Sequence, residues 1–198
     1  MTGVDAGVSG DIRRKLSELR DEVVNHAGSR PHDHLARIAV TQAIDAGLEG
    51  NAAVGALLAG PDGSVILSER NRMFVPEFRS DFHAEMVLLT AYEQEHRPDP
   101  DLRRHTLVTS LEPCEMCNIR IINSGVSNVL WVAPDLGKGA ITGPNQLAPH
   151  WARLAAPQQF AAADCDPRLA DIGLEAFVIT IGGITDKLMI RRLPNQAV

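Results

Sequence analysis

Residues 105–125 read HTLVTSLEPCEMCNIRIINSG, and the pattern changes halfway along. HTLVTSL is rich in β-branched and apolar residues and reads as a strand. PCEMCNIRIINSG opens on a proline, favoured in the first helical turn, and stops at Gly125, a residue favoured just past a helix end. A strand therefore feeds directly into a helix whose first turn carries Cys114 and Cys117. Upstream, HAEMVLLTAYEQEH predicts a helix opening at about His83. Downstream, VSNVLWVA predicts another strand.

Working outward, AAVGALLAG and SVILSER form a hairpin around Pro61-Asp62-Gly63-Ser64, a turn whose glycine can take positive φ. Two helices precede it. One starts at Ser9-Gly10-Asp11 and runs to about Asn25; the other runs from about His32 to Ala46, with Leu35, Ile38, Ala39, Ala43 and Ile44 at helical spacing and Gly47 as its cap. The first ten residues read as disordered. Residues 134–167, rich in Pro, Gly and Ala, read as loop with one short helix. LEAFVITI reads as the last strand and ITDKLMIRRL as a terminal helix. A hairpin followed by alternating strands and helices implies an α/β layered sheet with helices on its faces. Residues 1–30 form an N-terminal extension with a helix, and 31–198 a single domain.

With 198 residues the chain is long enough for one well-buried core. Its 25 acidic against 19 basic residues, a net charge of -6, argue against nucleic acid as a partner. No run of ~20 apolar residues offers a membrane span and no signal peptide is visible, so the expected location is cytoplasmic. Thiols stay reduced there, and two cysteines three apart read as ligands or reactive groups. Cys165, alone in ADCDP, reads as a residue of packing or exposure. His32 and His34 read as a polar helix start.

His83 at one helix start and Cys114 and Cys117 at another can converge, because cysteines at i and i+3 share a helix face and a helix N-terminus lowers a thiol pKa. Two thiolates and an imidazole suit Zn²⁺. Three protein ligands leave the fourth position open, as in catalytic sites, where the metal activates a water. Glu85, two residues from His83, can face that position and move protons.

HAE with PCEMC resembles the H-x-E and P-C-x-x-C signature of the zinc-dependent cytidine/deoxycytidylate deaminase superfamily, over about Ala53 to Val132. The resemblance implies a three-layer α/β/α sandwich with a mixed, about five-stranded sheet, and an oligomer, here a homodimer. It makes His83, Cys114 and Cys117 zinc ligands and Glu85 the proton shuttle. Asn71 falls near the position of an asparagine that binds the base in guanine and tRNA adenosine deaminases. Those relatives carry D-P-T-A-H-A-E where this chain has R-S-D-F-H-A-E, which makes Phe82 a candidate to stack on a base, beside an equal reading as a core aromatic. Ala84 through its N–H and Ser110 through its C=O are further candidate contacts. Trp131 is a candidate pocket or core residue, and Asp135 a candidate reader of an amine or ring N–H. Glu112 reads as a solvated loop carboxylate.

Within the superfamily, PCEMCN departs from the P-C-G-x-C-R of nucleoside-specific enzymes, and the acidic charge opposes a tRNA substrate. The expectation is hydrolytic deamination of a small free base or amino-heterocycle, guanine- or ammeline-like and closest to the guanine deaminase branch. Cytosine or a secondary metabolite is the alternative, followed by tRNA adenosine and by a purely structural zinc, for which Cys165 would have to reach the metal.

Overall fold

The structure, a computed structural model, describes residues 8–135 and 147–192. Residues 1–7, expected to be disordered, and 136–146 of the expected loop lie outside the described residues. In chain order the elements are α1 (Gly10–Val24), α2 (Asp33–Glu49), β1 (Gly55–Ala59), β2 (Val65–Arg70), α3 (Ala84–Glu95), β3 (Thr106–Leu111), α4 (Glu115–Ser124), β4 (Asn128–Ala133), α5 (Pro149–Ala155), β5 (Gln159–Ala162) and α6 (Pro167–Ile190).

The strands form one sheet in the order β2-β1-β3-β4-β5. β1 runs antiparallel to β2 and β3, while β3, β4 and β5 are mutually parallel, so the sheet is mixed. Strand alternation divides the apolar residues between two cores. Leu57, Ala59, Val108 and Val132 face α1, α2 and α6. Ala56, Leu58, Leu107 and Val129 face the other side with Ala84, Leu88 and Leu89 of α3 and Ile121 of α4. With period-2 side chains, both faces of these strands are buried, which is why GALLA reads as an unbroken apolar run. The result is the expected three-layer α/β/α sandwich. Leu16, Leu19 and Val23 of α1 are buried in the first of these cores.

The hairpin is as expected: Gly63 takes φ 80° and the Asp62 carboxylate accepts from Ser64 N at 3.0 Å. Two helical expectations shift. Gly47 does not cap α2, which runs on to Gly50 in the left-handed conformation. Gly47 is glycine for another reason: a Cβ there would lie 3.0 Å from Leu16 Cδ1 and 3.1 Å from Thr180 Cγ2, where α1 and α6 close on α2.

LEAFVITI is not a strand. It lies within the 24-residue α6, which Asp166 caps by accepting from Arg168 N and which buries Leu169, Ile172, Gly173, Ala176, Thr180 and Ile184 at helical spacing. Eight apolar residues alone cannot distinguish a buried strand from a buried helix face; here the apolar pattern continues for five turns, and tertiary packing resolves it. The fifth strand is instead β5, within the stretch expected to be loop beside α5. It is short and mostly exposed at the sheet edge, so it carries no alternating apolar signal.

Candidate active site

His83 is the N-cap of α3 and Cys114 the N-cap of α4, both in extended conformation, with Cys117 in the first turn of α4. Two bends made by the sequence, one before each helix, thus aim three donors at one point. His83 Nδ1 lies 3.5 Å from Cys114 Sγ and 3.6 Å from Cys117 Sγ. A tetrahedral zinc with sulfur at about 2.3 Å and nitrogen at about 2.0 Å separates N and S by about 3.5 Å, so the donor set fits the ion. The Glu93 carboxylate of α3 holds the Arg120 guanidinium of α4 in a bidentate pair at 2.8 and 2.7 Å, fixing the two helices against each other. Among the described residues these three are the only group of histidines, cysteines and acids placed to hold a metal. Cys165 is elsewhere, buried at the start of α6, its thiol pushed up to about 11 chiefly by burial. No fourth protein ligand completes the set among the described residues.

The surroundings of Cys114 favour its thiolate. Cys114 is held down at about 4, chiefly by the hydrogen bond from Cys117, while Cys117 is pushed up by sharing its proton with Cys114 and by burial. Burial opposes protonation of His83, but the Cys114 thiolate outweighs it and raises the imidazole. Glu85, 3% exposed, is raised above the usual carboxylate range by burial first and by the Cys114 charge second. Its Oε2 is 3.3 Å from Cys117 Sγ and its Oε1 3.4 Å from the Thr109 hydroxyl. A raised pKa suits a group that must both take and return a proton near neutrality.

The donors open into a cavity of about 200 Å³. His83, Cys114 and Glu85 line it together with Asn71, Glu112, Asp135, and Phe177 and Ile181 of α6. Asn71, 3% exposed, is held in place as its Oδ1 accepts from Met73 N at 3.0 Å. Its Nδ2 has no hydrogen-bond partner among the described residues. Glu112 accepts from Asp135 N at 3.2 Å, bringing the ends of β3 and β4 together.

Other expected contacts lie outside this lining. Phe82 is covered by the Arg79 guanidinium, 3.9 Å from its ring centre. Ala84 is fully buried in the core beneath α3. The Ser110 hydroxyl accepts from Gly55 N, and its carbonyl lies against Gly173 of α6. Trp131 stays within β4, paired with Thr109 and Ala162. Thr109, Glu112 and the α6 residues were not identified from sequence. A carboxylate before a Pro-Cys pair was a signal for Glu112; α6 gave none while its run read as a strand.

A mixed sheet that carries three metal donors on two helix starts, with a buried carboxylate beside them, defines an α/β protein built to hold zinc. Residues 29–133 of the 198 match the family model for the cytidine and deoxycytidylate deaminase zinc-binding region, and the chain belongs to that family. The region that defines this family binds zinc, and His83, Cys114 and Cys117 are placed to hold it here.

Guanine deaminase from Nitrosomonas europaea shares the fold at TM-score 0.53 and 18% identity, over 90% of this chain and 98% of that one. A tRNA:A34 deaminase does so at TM-score 0.54 and 22% identity, over 72% and 98%. By sequence, tRNA(Ile)-lysidine synthase of Deinococcus deserti is 34% identical over 115 residues, 57% of this chain and 21% of that protein. The same synthase of Thermus thermophilus is 36% identical over 110 residues, 55% of this chain and 19% of that protein. The chain spans about a fifth of the length of these curated relatives. No helix among the described residues is long and apolar enough to cross a membrane.

Proposed function

We propose that this chain deaminates a small free nucleobase or related amino-heterocycle, guanine- or ammeline-like, by hydrolysis with release of ammonia. The observation that carries the reading is the cavity itself. At about 200 Å³ it is smaller than the ~300–1,000 Å³ of pockets for drug-sized ligands, and it has the size for one heterocycle rather than a nucleotide. Its polar groups, Asn71, Glu112 and Asp135, suit the amidine edge of such a ring: carboxylates accept from ring N–H and exocyclic amine, and the free Asn71 Nδ2 can donate to a ring nitrogen or carbonyl.

His83, Cys114 and Cys117 would hold the zinc, which when bound would supply an activated water. Glu85 would take one proton from the attacking water and pass it to the ring nitrogen, then take the proton of the resulting hydroxyl and pass it to the amine, which leaves as ammonia as the carbonyl forms. Asn71 and Asp135 orient the ring so that its amino-bearing carbon faces Glu85. An N-terminal extension over residues 1–30, a single domain over 31–198, a cytoplasmic location and assembly as a homodimer belong to the same reading. The exposed Val178, Met189 and Ile190 of α6 offer an apolar surface for the assembly.

A second reading, deamination of adenosine in tRNA, draws on the names of the relatives above. It also draws on two arginines that lie over aromatic rings, Arg79 over Phe82 and Arg191 over Phe78, whose guanidinium groups could contact phosphates. Ammonia release by the zinc-loaded protein decides between them, measured on guanine, ammeline, cytosine, adenine, cytidine, dCMP and tRNA. Turnover of a free base supports the first reading. Turnover of tRNA alone replaces it with the second.

A further inference from the structure

Four residues of α6 line the cavity, Phe177, Ile181, Ile184 and Leu188, spaced four, three and four apart on one helix face. α6 packs on the sheet face opposite α3 and α4. The metal donors and the α6 wall therefore reach the cavity from opposite sides of the sheet.

The chain has five phenylalanines, and four have their rings occupied. Phe74 and Phe78 are 5.2 Å apart, with Lys187 over the first and Arg191 over the second. Phe82 lies under Arg79, and Phe160 packs against the core beneath α3. Phe177 differs. It is half-buried, stands outside both core clusters, and among the described residues its ring has no aromatic or cationic neighbour. It supplies the one phenyl ring among the residues lining the cavity.

A nucleophile attacks a ring carbon perpendicular to the ring plane. A flat substrate must then turn one face to the donors and Glu85, and its other face must lie against the opposite wall. We infer that Phe177 is a specificity-determining residue of this site, the surface on which the substrate ring stacks while its other face meets the donors. The inference rests on the free-base reading proposed above. Stacking on an aromatic face tolerates many rings but requires a planar one. It therefore sets the substrate class as aromatic heterocycles, purine, pyrimidine or triazine, and disfavours saturated cyclic amidines of the same size.

The test compares wild type, Phe177→Leu and Phe177→Tyr, each zinc-loaded, by kcat and KM on the free base that wild type turns over, with zinc content and thermal melting as controls. Leucine keeps an apolar side chain but removes the ring face, so KM is expected to rise about 5- to 150-fold, the range of base–aromatic stacking. The value of kcat should stay within about threefold, and tyrosine should restore KM. A leucine variant with full zinc and an unchanged KM overturns the assignment while leaving the free-base reading in place. Wild type silent on every free base removes both.

Discussion

Replacing Glu85 by glutamine separates chemistry from metal binding and from folding. The carboxyl is buried, is not one of the three donors, and contacts the Thr109 hydroxyl and the Cys117 thiol. Glutamine is nearly isosteric and retains an amide oxygen that can accept from Thr109, while it removes a group whose ionisation burial penalises. Zinc content should therefore stay at one per chain, and the melting temperature should hold or rise slightly. Turnover should not survive. One general acid–base transfer is worth about 10²–10⁴-fold, and Glu85 carries more than one, so kcat should fall about 10³–10⁵-fold. At about 1.36 kcal/mol per decade this is roughly 4–7 kcal/mol of lost transition-state stabilisation. The assay is ammonia release under saturating substrate, with metal measured on the same sample. Activity within tenfold of wild type at full zinc occupancy would refute the shuttle role. Loss of zinc would show that the carboxylate belongs to the metal site.

Cys114→Ala and His83→Ala each remove a donor and should abolish stoichiometric zinc and lower the melting temperature of the zinc-loaded protein, because binding free energy adds to folding; a variant retaining one zinc per chain contradicts the donor set. Asp33→Ala strips the acceptor from Ser29 N, Arg30 N and Asp166 N, at 2.7, 2.8 and 2.7 Å, and should cost about 2–4 kcal/mol in urea unfolding. Burial opposes ionisation of Asp33, but these three N–H groups outweigh it and hold its carboxyl below the usual range. Its contribution is thus fully present above the unfolded value of about 3.9 and is lost as pH falls through the lower folded value. The difference between wild type and Asp33→Ala should shrink over that acid window; a constant difference would show that the carboxylate charge is not what stabilises. Gly55→Ala places a Cβ against Ala39 O and 2.5 Å from Ala43 N, both backbone atoms of α2, so β1 and α2 must part. Stability should fall by about 3 kcal/mol or more, and a melting temperature near wild type would mean that the layer contact yields easily.

Much of this site is local in sequence. A proline before two cysteines three apart, and a histidine before a helix-forming run, dictate two helix starts and the donors they present. Glu85 follows because a residue two positions past a cap lies in the first turn. Strand alternation in Leu57, Leu58, Leu107 and Val108 likewise carries the two-sided burial that makes three layers.

What the sequence left open depends on apposition between distant segments. LEAFVITI is apolar enough for strand or helix, and only packing against α2 and the sheet selects α6. That choice places Phe177 and Ile181 at the cavity. Asn71, singled out by its distance from His83, lines the cavity, whereas Phe82 lies outside that lining with Arg79 over its ring. Local spacing determined which residues present donor atoms at the two helix starts, because helix geometry is set within a turn. The tertiary structure decided what faces the donors across the cavity, because that wall comes from residues of α6 at least 60 positions beyond Cys117 in the chain and on the other side of the sheet.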